Sequence, residues 1–445
     1  MRQAPTSILT HSNAGESGRR LKSLYASVRR PRSPTGSDEH LLNDGTNRKS
    51  GAISTVKIGN DVLPLVDRAL PLSSPVELAD LRRFAIARSL FFRTDLCSAL
   101  DRLGFVQADP IRAPARAQDL VLRHRVTGYR AGDLDRRYPM LDIEEDFFVN
   151  YGFLPRAHHA LMHPRVVRTP WSLAKKKRAQ AVLAFVRERG EVHPRDVDER
   201  FAHGAVVNAW GGSSNATTHL LDAMHYRGWL RVARRHGGIR IYSARLERSD
   251  APELPSPALR LDALIDVAVR QYAPLPAASL GQLVRRLRFG APQLQRGLDA
   301  ALARTKRRLA HARVDGAEWY WPDGEAPQAA REALDDEVRL LAPFDPLVWD
   351  RARFERFWDW AYRFEAYTPV AKRKLGYYAL PMLWREQVIG WANLALNDEA
   401  LTSDAGYVAG RPPRDRHFRS ALEAEIERIR VFLTAREPVP AERTA

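Results

Sequence analysis

The sequence predicts an α+β fold of three consecutive winged-helix domains followed by a β-rich C-terminal domain. Three observations predict it: helical periodicity from about residue 75, two successive runs of three helices and a hairpin, and a change to short aromatic-rich strands after about residue 333. The chain has 445 residues, of which 44% are hydrophobic and 28% charged, so it is long enough for about three compact cores.

Residues 1–75 are expected to form a disordered basic tail, because they are rich in Ser, Arg, Thr, Asn and Gly and lack a helical period. An Arg- and Ser-rich start also fits an organellar transit peptide, but a flexible tail or a misplaced start codon is the plainer interpretation. No secretory signal and no apolar run of membrane-spanning length is present. The single cysteine, Cys97, excludes disulfides within the chain and suits a reducing compartment, so the cytoplasm is the expected location.

Residues 76–170 are predicted to form the first winged helix. Apolar residues recur at helical spacing from Leu78, and Asp95 is placed to cap a second helix that Gly104 ends. A short apolar strand follows. Asp109 and the proline after it then predict the N-cap and the first residue of a third helix.

Residues 171–252 and 253–332 repeat the order of three helices and a hairpin, as expected for a second and a third winged helix. The helices of the two repeats are predicted at 179–188, 194–201, 217–226, 261–271, 276–287 and 292–303. Gly237-Gly238 and Asp315-Gly316 predict the hairpin turns. Residues 333–445 are predicted to form a β-rich domain with a closing helix at 420–432.

The charge predicts a polyanionic partner. The chain has 70 Lys and Arg against 53 Asp and Glu, a net charge of +17 and a pI near 10.2, which favours nucleic acid. Residues 285–313 contain nine basic side chains and one acid, Asp299. A partner-docking surface, or a composition biased to arginine, is the alternative. Candidate phosphate contacts on the helices and hairpins are Arg234, Arg235, Arg285, Arg286, Arg307 and Arg308.

Four segments of this sequence carry a family resemblance. They are Leu103–Asp109 with Ala113–Ala117 after it, Gly152–Pro155, Leu341–Arg351, and Tyr362–Tyr367 through Lys372–Tyr378. With the tandem winged helices, they resemble the winged-helix DNA glycosylases of the AlkZ/YcaQ type, which excise bulky N7-alkylated purines and unhook interstrand crosslinks. The resemblance spans about residues 76–435.

The resemblance implies a catalytic pair. The family signature is Gln, an apolar residue, then Gln or Asp, and here it reads Gln107-Ala108-Asp109, like the YcaQ-type branch. N7-alkylation makes the purine cationic, so it leaves without a strong general acid. What remains is to activate water and to stabilise positive charge at C1′, roles assigned to Asp109, while Gln107 holds the water. Both side chains are expected on one side of a strand.

The resemblance also implies a monofunctional enzyme that uses water and needs no metal or organic cofactor. Its expected partner is duplex DNA carrying alkylated or crosslinked purines, bound by a monomer that associates with the nucleoid when it is on DNA. Further DNA contacts implied by the matching segments are Arg116, Lys372, Arg373, Lys374 and Tyr377. Two histidines at i and i+4, His159 and His163, have zinc-ligand spacing beside His158, but no obvious third ligand follows, so no metal site is expected.

Two departures keep a second interpretation open. The family's Tyr-Trp-x-His run reads Phe148–Pro155 here, which puts Val149 or Asn150 at the histidine position, and Gly-Arg-x-Asp-x-Lys reads Gly390–Ala395. The alternative is a non-catalytic winged-helix DNA-binding protein or transcriptional regulator, in which Asp109 is only a helix N-cap.

Overall fold

A computed structural model describes residues 75–167, 169–202, 204–207, 213–245, 254–332, 335–397 and 400–434. The predicted tail therefore lies outside the described residues except for Pro75. Within the described ranges helices and strands are mixed, which confirms the predicted combination of α and β structure. None of the helices in these ranges has both the length and the apolar character needed to cross a membrane.

The first unit, residues 75–167, follows the predicted order of two helices and a strand. Asp95 accepts a hydrogen bond from the Ser98 amide at 3.1 Å and Gly104 ends the helix in the left-handed conformation, so both helix-end predictions are confirmed. The elements are α1 Leu78–Ser89, α2 Leu96–Leu103, β1 Val106–Gln107, α3 Ala117–Leu122, α4 Asp133–Arg137, β2 Ile143–Phe147, β3 Tyr151–Pro155 and α5 Arg156–Met162.

The predicted third helix at Asp109 is wrong. No helix begins there, and α3 begins only at Ala117. Pro114 explains the difference, because a proline lacks the amide hydrogen that a helix needs and disfavours helical backbone at the residue before it. Asp109 instead accepts a hydrogen bond from the amide of Ile111, two residues on, at 2.9 Å. The helix-cap interpretation of Asp109 therefore fails.

The second and third units, residues 169–245 and 254–332, each contain helices followed by a hairpin. The elements of the second are α6 Leu173–Arg189, β4 Glu191–Val192, α7 Pro194–Phe201, β5 Ala205–Val207, β6 Ser213–Asn215, α8 Ala216–Tyr226, β7 Leu230–His236 and β8 Ile239–Ala244. Those of the third are α9 Pro257–Tyr272, β9 Leu275–Pro276, α10 Ala277–Gly290, α11 Leu298–Arg308, β10 Ala310–Val314 and β11 Ala317–Trp321. A 3-10 turn, Pro292–Gly297, precedes α11, where one continuous helix was predicted.

Each of the three units has an antiparallel sheet with the same topology. The orders are β1-β3-β2, β4-β8-β7 and β9-β11-β10, so a short early strand always pairs with the second strand of the hairpin. In the fourth unit, residues 335–434, the sheet order is β12-β13-β14-β15. Its elements are β12 Val338–Leu340, α12 Arg351–Trp358, β13 Leu380–Trp384, β14 Gln387–Asn397, β15 Ala400–Tyr407 and α13 Arg416–Thr434.

The units pack on one another through shared cores. Phe432 of α13 stacks on Tyr129 of the first unit with ring centroids 6.3 Å apart, and Trp319 of β11 stacks on Phe357 of α12 at 5.2 Å. A fully buried ion pair joins Arg125 to Asp345 with 2.8 Å between nitrogen and oxygen. These contacts hold the fourth unit against the first and the third.

Candidate active site

Strand β1, which ends at the first residue of the Gln-Ala-Asp sequence, is short and closely packed. Gln107 is paired with Gly152 of β3, and the backbone pairing extends one residue further, where the Ala108 amide donates to the Tyr151 carbonyl oxygen at 3.0 Å. A Cβ atom at Gly152 would overlap the Val106 carbonyl oxygen and the Phe105 ring. Only glycine allows this approach, so Gly152 of the Gly152–Pro155 segment is required for the position of Gln107.

The Gln107 side chain is almost fully buried and its amide oxygen has two donors. Asn150 Nδ2 donates to Gln107 Oε1 at 2.7 Å, and the indole Nε1 of Trp349 donates to the same oxygen at 3.0 Å. Arg286 of α10 donates to Asn150 Oδ1 and, from Nε, to the Val149 carbonyl oxygen at 2.8 Å. Residues from the first, third and fourth units thus meet at Gln107.

Asp109 lies two residues after Gln107 and is 8% exposed. Its backbone amide donates to Gln118 Oε1 at 3.3 Å, and its Oδ1 accepts from the Ile111 amide. Among the described residues, Asp109 takes part in no ion pair and its Oδ2 accepts no hydrogen bond. Burial raises the pKa of Asp109 to about 6, against the smaller opposite effect of the Ile111 hydrogen bond. The carboxylate is thus largely ionised at neutral pH, with one oxygen available.

Tyr378 closes the site from the fourth unit. Burial and, after it, the negative charge of Asp109 raise the pKa of Tyr378, and its hydroxyl is buried without a hydrogen-bond partner in the described part of the chain. Asn393 of β14 holds the loop before β13 in place. Its Nδ2 donates to the Leu375 carbonyl oxygen at 2.7 Å, and its Oδ1 accepts from the Tyr378 amide at 3.4 Å. Asn393, which lies in the Gly390–Ala395 segment that departs from the family pattern, therefore has a structural role beside the site.

Three of the arginines expected to contact DNA lie in buried or partly buried networks. Arg116 pairs with Asp135, and Arg235 of the second-unit hairpin pairs with Glu145 of β2, its Nε lying 2.8 Å from Oε2. Arg286 belongs to the Gln107 network. All three guanidinium groups already bind partners within the fold, and their contact with phosphates stays a prediction. A sequence window could not reveal acids that come close only in the folded chain.

The other expected DNA contacts are more accessible. Arg285 and Arg307 are exposed and form no ion pair among the described residues, and Lys372, Lys374 and Tyr377 are exposed as well. The remaining three have local partners: Arg234 pairs with Glu191 at 2.8 Å, Arg308 pairs with Asp266, and Arg373 donates to the Thr368 carbonyl oxygen at 2.9 Å.

The neighbouring strand β2 carries three consecutive buried acids, Glu144, Glu145 and Asp146. Asp146 Oδ2 lies 3.0 Å from His159 Nε2 and 2.9 Å from His163 Nε2, and its Oδ1 accepts from Arg165 at 3.1 Å. The three possible ligand atoms lie within 4.8 Å of one another. A divalent cation there would sit beside the Arg165 guanidinium, which already balances the carboxylate, so the group is explained as a neutral hydrogen-bonded cluster.

Three residues of the site were not predicted as such from the sequence. Asn150 was considered only as a departure from a family histidine, Trp349 only as part of a matching segment, and Arg286 only as a phosphate contact. Asn150 is 43 and Trp349 is 242 positions from Gln107. No local pattern signals a contact over such separations.

Two comparisons connect this geometry to known proteins. The family described as DNA glycosylase AlkZ-like matches residues 100–432. The fold is similar to that of the Streptomyces sahachiroi DNA glycosylase AlkZ, with a TM-score of 0.53 and 15% sequence identity, over 80% of this chain and 97% of that one. At that identity the structural likeness concerns the fold alone.

Proposed function

This chain belongs to the AlkZ-like DNA glycosylase family, and from that premise we propose that it is a monofunctional DNA glycosylase that hydrolyses the N-glycosidic bond of N7-alkylated purines. The observation that carries the proposal is Asp109, a buried carboxylate with one unengaged oxygen and no ion-pair partner in the described part of the chain, two residues from Gln107. Unhooking of interstrand crosslinks belongs to the same proposal.

The chemistry follows from the charge of the lesion. An N7-alkylated purine carries positive charge, and as it leaves, positive charge develops at C1′ of the sugar. A carboxylate that has no arginine partner of its own stabilises that charge, and the low polarity of a buried site strengthens the attraction. With a pKa of about 6, Asp109 is ionised at pH 7 yet still basic enough to accept a proton from water.

We also propose that the three units with a common sheet order are winged-helix domains, bounded at residues 76–170, 171–252 and 253–332, before a β-rich domain at 333–445. The shared strand order and the helices before each hairpin support this assignment. Arg285 and Arg307, exposed on the third unit, and Lys372 and Lys374 on the fourth are proposed as phosphate contacts. A monomer on duplex DNA is the form proposed.

The test is base release from a duplex that carries one N7-methylguanine, under single-turnover conditions, with abasic sites revealed by heat or alkali. Asp109→Asn is expected to lower the rate by about 10²- to 10⁴-fold, the range for loss of general-base catalysis. Without alkali the strand is expected to stay intact, because water is the nucleophile. Asp119→Asn is the matched control, since Asp119 is buried with a pKa also raised to about 6.

Release by the wild type at the spontaneous rate, from this duplex and from a crosslinked one, together with tight salt-dependent DNA binding, would refute the proposal and favour a binding protein. Equal losses in Asp109→Asn and Asp119→Asn would instead place the chemistry elsewhere.

A further inference from the structure

The orientation of the Gln107 amide is determined by groups that can only donate hydrogen bonds. A side-chain amide presents an acceptor oxygen at one end and a donor NH₂ group at the other, and the two ends have nearly the same shape. Which end faces the reaction centre decides what Gln107 can do there. In this chain the answer comes from Arg286 and Trp349, neither of which has an acceptor in its polar group.

Arg286 fixes the orientation of Asn150. A guanidinium donates only, and it donates to Asn150 Oδ1, so the Nδ2 group of Asn150 is directed to Gln107, 2.7 Å from Oε1. The guanidinium is itself held by the Val149 carbonyl oxygen at 2.8 Å, and it lies 5.5 Å from the centroid of the Trp349 ring.

Trp349 fixes Gln107 independently. Its indole N–H donates only and lies 3.0 Å from Gln107 Oε1, so this atom must be the oxygen. Two donors occupy Oε1, whereas Gln107 Nε2 donates to no described residue. The amide NH₂ is therefore the part of a nearly buried side chain that is left for a molecule from outside.

We propose that Asn150 and Trp349 are positioning residues that hold the Gln107 amide so that its NH₂ group donates to the oxygen of the attacking water. This rests on the proposed glycosylase function. When one lone pair of the water oxygen accepts from this NH₂ group, one of the water protons is directed to Asp109. The water oxygen bonds to C1′ as the bond from C1′ to the purine nitrogen breaks, the electron pair neutralises the cationic purine, and the proton passes to the Asp109 carboxylate.

The test is a double-mutant cycle on the N7-methylguanine duplex. Asn150→Leu keeps similar bulk and removes the donor, so we expect the rate to fall about ten- to a hundredfold. This is the rate ratio that corresponds to the free-energy cost of leaving one buried hydrogen-bonding group unsatisfied. Asn150→His restores an N–H donor and should recover most of the rate. In a Gln107→Ala background, Asn150→Leu should change the rate by less than about twofold, because Asn150 acts only through Gln107. Independent losses that add would overturn the proposal.

A readout without catalysis separates this inference from the proposed function. The Trp349 indole N–H resonance, identified among the 10 tryptophans by its loss in Trp349→Phe, should shift in Gln107→Ala. No shift in Gln107→Ala would show that the indole does not bind the amide and would overturn the inference even in an active enzyme. Base release at the spontaneous rate by the wild type would overturn the proposed function, and the catalytic part of this inference with it.

Discussion

Asp109 and Glu145 are two buried carboxylates of the first unit, one just beyond β1 and the other in β2, and their surroundings are opposite. Glu145, in β2, is fully buried, binds Arg235, and accepts from the Tyr151 hydroxyl at 2.6 Å. Burial alone would raise its pKa, but the charge and hydrogen bonds of Arg235 outweigh that effect and hold the pKa of Glu145 at about 2. Asp109, just beyond β1, has no such cation in the part of the chain that the structure describes, and burial raises its pKa to about 6.

The difference shows where this arginine-rich chain leaves a charge uncompensated. Glu144 is bound by arginines as well, and Asp146 by Arg165. A buried carboxylate without a cation is costly, and groups of this kind concentrate at functional sites. Glu144 and Glu145 of β2 join the first unit to arginines of the second, whereas Asp109 remains available to a cationic ligand.

Asp119 of α3 is a third buried carboxylate to compare with Asp109. Its pKa is also raised to about 6, mainly by burial, yet its Oδ1 accepts from the Tyr129 hydroxyl at 2.8 Å and from the Gly132 amide at 3.1 Å, which hold a turn. A raised pKa by itself does not identify the site. What sets Asp109 apart from Asp119 is its position two residues from Gln107, whose amide oxygen accepts from Asn150 of the first unit and Trp349 of the fourth.

The largest expected effect comes from the same acid-to-amide change at the two positions. Glu145→Gln breaks a buried pair and should lower the free energy of unfolding by roughly 3 kcal/mol, since Arg235 loses its counter-charge. Asp109→Asn should raise it by roughly 1–3 kcal/mol at pH 7, because an ionised, uncompensated carboxylate is removed. Shifts of the urea midpoint of the cooperative transition measure both.

The pH dependence of these two stability effects has opposite sign. The pKa of Asp109 is higher in the folded chain than its ordinary value of 3.8, so the cost of ionised Asp109 is present above about pH 6 and disappears below 3.8. The pKa of Glu145 is lowered from 4.5, so its contribution is present above 4.5 and lost as the pH falls toward 2. If Asp109→Asn and Glu145→Gln lowered the free energy of unfolding equally at pH 7, the two carboxylates would not differ in the way described.

The pH dependence of base release sharpens the comparison at the level of chemistry. Because Asp109 must be ionised to accept a proton, the rate should be constant above about pH 7. At pH 5 it should be about tenfold lower than this plateau. Spontaneous depurination is subtracted at each pH. Glu145→Gln, assayed where it is folded, should keep the same midpoint. A rate independent of pH from 5 to 8 would exclude a base with the raised pKa of Asp109.

Local signals predicted the parts of the fold that depend on neighbours in sequence. Asp95 and Gly104 mark the ends of α2 because capping involves residues within one turn. The same rule failed at Asp109, where Pro114 prevents the helix. The pair Gln107 and Asp109 came from resemblance, and nothing nearby in the sequence indicates that Asn150 and Trp349 bind Gln107.

The charge pattern of the sequence shows where basic residues are concentrated, but not which of them are paired with acids from other segments. The basic stretch at 285–313 contains one acid in sequence, but α9 supplies Asp262 to Arg304 and Asp266 to Arg308. A window along the chain counts charges without their partners. Only the folded arrangement separates arginines that are paired from those that are available to phosphate.

The smallest expected effect tests that separation on one helix, α11. Arg307 is exposed and unpaired among the described residues, whereas Arg304 binds Asp262 through two hydrogen bonds of 3.0 and 2.8 Å. If Arg307 meets a phosphate, Arg307→Ala should weaken duplex binding about fivefold near 0.1 M salt and reduce the slope of log affinity against log salt by about 0.9.

Arg304→Ala is the matched control, because its guanidinium already binds a carboxylate and releases no counterion from DNA. Its salt slope should equal that of the wild type, measured by fluorescence anisotropy over a salt series. A slope that falls equally in both variants would mean that the ion pair with Asp262 opens on DNA. The arginines of exposed ion pairs would then belong to the DNA-binding surface, because such pairs are weak in water. Only arginines of buried pairs, such as Arg235 with Glu145, would lie outside that surface.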